Sequence, residues 1–153
     1  MRIKAVVLIS VMMMSTFLLA SEKAQDRIPI LIRSGATAGG FTDPSKDRQD
    51  SVKDLLKKLK DSDWVRPVES EKDALAVLEV LERETKRETN LMGRQNKSSL
   101  TVRLTAGEYS VEFTGESGSK GVLKGYGAAA GNVAKQVEAW VKANRDRLLA
   151  LKE

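Results

Sequence analysis

Lys120, Lys124 and the segment Gly125-Tyr126-Gly127-Ala128-Ala129-Ala130-Gly131 are where this sequence comes nearest to a recognisable chemical motif. Two lysines ahead of a glycine-rich helix entrance can hold an anion, because the first backbone N–H groups of a helix have no partner inside it. The spacing departs from the dinucleotide-binding fingerprint: the glycines stand as G-x-G-x-x-x-G, one residue longer than G-x-G-x-x-G. The segment also follows an antiparallel hairpin, whereas that fingerprint opens a βαβ unit. The expectation is a loop entering a helix, at which Lys120, Lys124, Tyr126 and Gly127 meet an anionic group or a protein partner, with no cofactor.

Carboxylates offer the other chemistry. Asp43, Asp47 and Asp50 lack the alternate spacing, central glycine and closing glutamate of a calcium loop, and read as a helix cap and a solvated helix face. Asp43, Asp47, Glu108 and Glu112 are candidates for a carboxylate-based hydrolase or lyase, which requires at least two of them in one concave pocket. The chain of 153 residues contains no Cys and no His. Thiol catalysis, His-assisted serine catalysis and zinc bound by Cys or His are therefore excluded. No catalytic residue, metal ligand or cofactor is assigned, and Trp64 and Trp140 are expected to anchor the core.

These residues are carried by a chain with an export signature. Arg2 and Lys4 precede an apolar run from Ala5 to Ala20, and the charged stretch Ser21-Glu22-Lys23 follows. A short basic start, an apolar centre and a small-residue exit form a secretory signal peptide, and the run is short for a bilayer span. Residues 1–20 are read as the signal and residues 21–153 as a single domain. No Cys follows Ala20, so no lipid attachment is expected. Leu18 sits where signal cleavage prefers a small residue, which leaves the alternative of an uncleaved signal holding the domain at the inner membrane. Membrane contact is expected only through that segment. The formal charge is +5, and +3 for residues 21–153. Acidic and basic residues alternate too closely for a nucleic-acid footprint, leaving a bias toward anionic envelope components.

The elements that position the candidate residues follow from pattern. Ile28–Ile32 is a short β-branched strand with Pro29 at its start, followed by a loop over Gly35–Gly40. Asp43 and Pro44 open a helix whose Val52, Leu55, Leu56 and Leu59 form one apolar stripe. Asp61-Ser62-Asp63 ends it, and Trp64–Val68 is a proline-limited strand. Ala74–Glu84 is nearly continuously apolar at first, and periodicity alone does not separate a buried strand from a helix begun by a Ser70–Asp73 capping box.

Leu100–Thr114 alternates as a hairpin. A turn at Ala106-Gly107 would pair Leu104 with Tyr109, Val102 with Val111 and Leu100 with Phe113, and Arg103 with Ser110 on the other face. A glycine-rich loop over Gly115–Gly131 leads to a last helix, with Val133, Val137, Trp140, Val141, Leu148 and Leu151 on or near one face. The expected architecture is a two-layer α+β domain in the order β-α-β-β-β-β-α. It has a mixed, mostly antiparallel sheet of four to five strands and two amphipathic helices on one face.

Through Phe41-Thr42-Asp43-Pro44-Ser45-Lys46-Asp47-Arg48-Gln49-Asp50-Ser51, and through Ala134-Lys135-Gln136-Val137-Glu138-Ala139-Trp140-Val141-Lys142-Ala143-Asn144-Arg145-Asp146-Arg147-Leu148, the chain resembles a group of uncharacterised secreted bacterial proteins. That resemblance implies a small α+β domain in which Ala74–Arg83 is extended, and it implies no activity. More loosely, the order of elements is similar to the amino-terminal domain of TolB-type proteins and to outer-membrane lipoprotein accessory factors, a likeness of fold only. The functional expectation is a non-catalytic, periplasmic or secreted interaction domain whose partner is an envelope protein.

Overall fold

The structure, a computed structural model, describes residues 27–35, 44–90, 93–119 and 125–152. The segment read as a signal peptide, the loop after Gly35, Asp43, Lys120 and Lys124 lie outside these residues. Five strands form one sheet: β1 (Ile28–Ser34), β2 (Val65–Val68), β3 (Ala76–Asn90), β4 (Gly93–Ala106) and β5 (Tyr109–Ser119). Two helices accompany them, α1 (Pro44–Leu59) between β1 and β2, and α2 (Tyr126–Ala150) after β5. The sheet order is β2-β1-β3-β4-β5, with β1 parallel to both of its neighbours and β3, β4 and β5 antiparallel in sequence. This is the expected β-α-β-β-β-β-α order, and the Ala74–Glu84 stretch enters a strand.

Register shows why one face of the sheet is dry. Ile30 pairs with Ala76, Ile32 with Leu78, Leu78 with Leu104, and Val80 with Val102. Side chains alternate across a strand, so this set shares a face. On it pack Leu55 and Leu59 from α1, and Ala129, Ala130, Val133, Val137, Val141 and Leu148 from α2, all essentially buried. Burying each large aliphatic side chain contributes about 1.5–3 kcal/mol, which makes this layer the main source of stability.

Three expectations are corrected. The hairpin turn falls one residue later, at Gly107-Glu108, so Ala106 pairs with Tyr109, Leu104 with Val111, Val102 with Phe113 and Leu100 with Gly115. Gly107 takes φ +55, a left-handed conformation that costs a side-chain-bearing residue steric strain, and this moves the turn. A shift of one residue at the turn moves each partner by two positions and leaves the faces unchanged. Arg103 consequently meets Glu112, not Ser110.

The Gly115–Gly131 stretch is not a loop throughout: β5 runs to Ser119 and α2 starts at Tyr126. Gly115 serves packing, since a Cβ there would lie 2.2 Å from the Ala129 carbonyl oxygen. Finally, Leu56 and Leu151 leave the apolar stripes, at 37% and 42% exposed. The buried side of α1 is instead completed by Ser51, four residues before Leu55.

The end of α1 is built by Ser62. Its hydroxyl accepts from Trp64 N (3.2 Å) and Val65 N (3.1 Å), turning the chain directly into β2. Its carbonyl accepts from Arg27 Nη1 (3.2 Å), and Ile28 N donates to Trp64 O (2.9 Å). One turn therefore fixes the end of α1, the start of β2 and the residue ahead of β1. Further on, Ser70 caps a single 3-10 turn, Glu71–Asp73, by accepting from Lys72 N, so the expected capping signal is used by a turn and no helix follows.

Candidate functional site

Around the Ser62 turn, Arg27, Leu56, Lys57, Lys60, Arg66 and Pro67 line a groove of about 440 Å³ between α1 and β2. Lys57, Lys60 and Arg66 are exposed and Arg27 is half-buried. Among the described residues none of these four cations is in an ion pair. Cations at a helix carboxyl end complement its dipole, which accounts for Lys57 in the last turn of α1 and Lys60 just beyond it. It does not account for Arg66, on β2, or for Arg27, which lies just ahead of β1 and donates to the Ser62 carbonyl. Leu56 and Pro67 give this basic groove an apolar component. A second hollow of about 380 Å³, lined by Trp64 and residues 142–147, differs in containing an acid, Asp146.

The sheet face away from the helices compensates its own charges. Arg33, Glu79, Arg103 and Glu112 stand side by side across β1, β3, β4 and β5 with alternating sign. Arg33 Nη2 lies 2.7 Å from Glu79 Oε1, and Arg103 Nη2 lies 2.7 Å from Glu112 Oε1. The hydrogen bond from Arg33 to Glu79 holds the guanidinium above its ordinary value, with burial opposing it slightly. Thr101 and Thr114 share a hydrogen bond in the next row (3.1 Å). The β5 edge is also occupied: Asn132 Nδ2 donates to Glu116 O (2.8 Å) and Gln136 Nε2 to Thr114 O (2.9 Å). An edge strand whose carbonyls are taken by helix side chains is a poor template for another strand.

The third feature is a buried arginine. A bulge between Val80 and Glu82 shifts the alternation of β3, so Arg83 pairs with Leu100 on the helix side and is only 9% exposed. Its Nη1 donates to Asp47 O (2.8 Å) and Ser51 Oγ (3.4 Å) and lies 3.8 Å from the Asp47 carboxylate. Its guanidinium stacks on Tyr126, whose hydroxyl shares a hydrogen bond with Thr85 Oγ1. Arg83 Nε and the nearby Ser98 Oγ are buried without hydrogen-bond partners among the described residues.

Of the expected anion site only Tyr126 and Gly127 are among the described residues. Tyr126 belongs to the Arg83 cluster and a Cβ on Gly127 would meet nothing among the described residues, while Lys120 and Lys124 lie outside them. The three candidate carboxylates among the described residues, Asp47, Glu108 and Glu112, do not come together. Asp47 is on α1 beside Arg83, Glu108 is in the β4–β5 turn, Glu112 is on the open sheet face, and Asp43 is not among the described residues. Sequence reasoning missed the groove because its residues are scattered over forty positions. The available signals were the third apolar residue of the α1 stripe, Leu56, flanked by Lys57, and an arginine beside a strand proline.

No protein-family model and no curated protein matches the chain. Among solved structures it is similar to a minor lipoprotein from Acinetobacter baumannii at 19% identity and TM-score 0.46, covering 76% of this chain and 94% of that one. It is similar to PelC from Paraburkholderia phytofirmans, described as a dodecamer, at 17% identity and TM-score 0.47, covering 74% and 88%. The hypothetical protein CT253 from Chlamydia trachomatis matches at 10% identity and TM-score 0.43, covering 81% and 99%. At this distance the likenesses say nothing about activity.

Proposed function

We propose that this chain is an exported, non-catalytic accessory domain that recognises an anionic partner of the bacterial envelope through the groove between α1 and β2. Kinship with the secreted bacterial group, drawn from the two motifs, belongs to the same proposal, as does export directed by residues 1–20. The observation that carries the reading is the convergence of Arg27, Lys57, Lys60 and Arg66 on one groove without a carboxylate partner among the described residues. Like charges brought together repel, and a fold retains such a cluster at a cost unless a counter-charge arrives from outside. The open sheet face has equally many charges, but they are already matched within it. The scattered positions of Asp47, Glu108 and Glu112 favour recognition over hydrolysis.

Affinity electrophoresis through dextran sulfate tests the reading. The protein is expected to be retarded, and the retardation to fall in Lys57→Gln/Lys60→Gln. Lys135→Gln/Arg147→Gln removes the same charge from exposed positions of α2 and is expected to leave retardation nearly unchanged. Equal loss in both double variants would mean that only net charge matters and would refute a dedicated groove.

A further inference from the structure

We infer that the anionic partner is the surface of a phospholipid bilayer, an inference that rests on the groove reading above. Three observations select a bilayer over a soluble polyanion. Leu56 is 37% exposed at the groove, with Pro67 opposite and cations around them. A soluble polyanion satisfies the cations and leaves the leucine wet, whereas an anionic bilayer offers headgroup charge above and acyl chain below. The cations are also arranged for a surface. They come from the residue ahead of β1, the end of α1 and β2, and Lys57, Lys60 and Arg66 are all exposed.

The third observation is covalent. The apolar run ends at Ala20, seven residues before Arg27. Seven residues extend at most about 25 Å. While that run is attached, Arg27 stays within about 25 Å of its end. If the apolar run enters a bilayer, the groove is held near that same surface for as long as the run stays attached. This extends membrane contact from the amino-terminal segment to the folded domain.

Vesicle flotation tests the inference, using protein recovered in soluble form after export. The probes are vesicles of phosphatidylcholine alone and of phosphatidylcholine with phosphatidylglycerol. The protein is expected to float with the anionic vesicles, more weakly with the neutral ones, and less as salt is raised. Each cation near an anionic surface strengthens binding about fivefold, so Lys57→Gln/Lys60→Gln is expected to weaken it about 25-fold. Leu56→Ser is expected to weaken it as well, without changing retardation in dextran sulfate. Both sets of positions are solvent-exposed, and far-ultraviolet circular dichroism checks that the variants are folded. Flotation that is equal on both vesicle types, or unaffected by the double substitution, overturns the inference. If retardation in dextran sulfate then persists, the groove still recognises anions and only the lipid assignment fails; if retardation is also absent, the groove reading fails with it.

Discussion

The Arg83 guanidinium carbon lies 3.7 Å from the centroid of the Tyr126 ring, joining the bulged middle of β3 to the first residue of α2. The same guanidinium reaches Asp47 in the first turn of α1. One side chain thus ties both helices to the sheet, at the end where the sequence had suggested an anion site. A buried cation with one distant carboxylate is expensive to desolvate, and its stacking and hydrogen bonds offset that cost only in part.

Arg83→Ala is expected to destabilise the fold by about 3 kcal/mol, through loss of the stack and of the donor to Asp47 O. Arg83→Met keeps most of the volume and removes the desolvation cost, and is expected to lose less than half as much. Urea unfolding followed by circular dichroism measures both. A methionine variant as unstable as the alanine variant would mean that the hydrogen bonds, not the packing, hold the junction.

Gly115 and Gly118 lie on the same strand and predict opposite outcomes. A Cβ at Gly115 would meet Ala129 O at 2.2 Å and Val133 N at 2.9 Å, both backbone atoms, whereas a Cβ at Gly118 meets nothing within 4 Å among the described residues. Gly115→Ala must push α2 away and is expected to cost about 3 kcal/mol or more. Gly118→Ala is expected to be neutral or stabilising by about 0.5 kcal/mol, because alanine has less conformational freedom to lose. Thermal unfolding of the two variants side by side provides the comparison.

The Arg103–Glu112 pair has side chains 42% and 52% exposed. A double-mutant cycle with Arg103→Ala and Glu112→Ala is expected to give a coupling of only about 0.2–1 kcal/mol, shrinking as salt is added. A coupling well above that range would mark the open sheet face as drier than its exposure implies.

Gly107→Ala tests the corrected turn. With φ +55 and Leu151 Cδ2 3.0 Å from the added Cβ, it is expected to destabilise by about 1–2 kcal/mol. The same substitution at the flanking Glu108 is expected to have little effect, measured by chemical denaturation.

Much of the fold was legible because it is written in periodicities. The stripe Val52, Leu55 and Leu59 gave α1, and the alternation of Leu100, Val102 and Leu104 gave β4 and its buried face. The hairpin register missed by two positions because both Ala106-Gly107 and Gly107-Glu108 place a glycine in the turn, and alternation is indifferent to a two-residue shift. The bulge at Leu81 left no local signature, so the inward turn of Arg83 was invisible. The groove was hidden for another reason. Its cations belong to stretches that only the parallel pairing of β1 with β2 brings together, and a linear charge pattern does not register that pairing.

The most direct measurement is an amide nitrogen–proton correlation spectrum recorded while a short sulfated oligosaccharide is titrated in at low salt. Recognition by the groove is expected to shift the amides of Arg27, Leu56, Lys57, Lys60 and Arg66 together, saturably and reversibly with salt. Shifts concentrated instead at Tyr126, Gly127 and the Arg83 cluster, or spread evenly over the exposed lysines, would contradict the groove as the site of recognition.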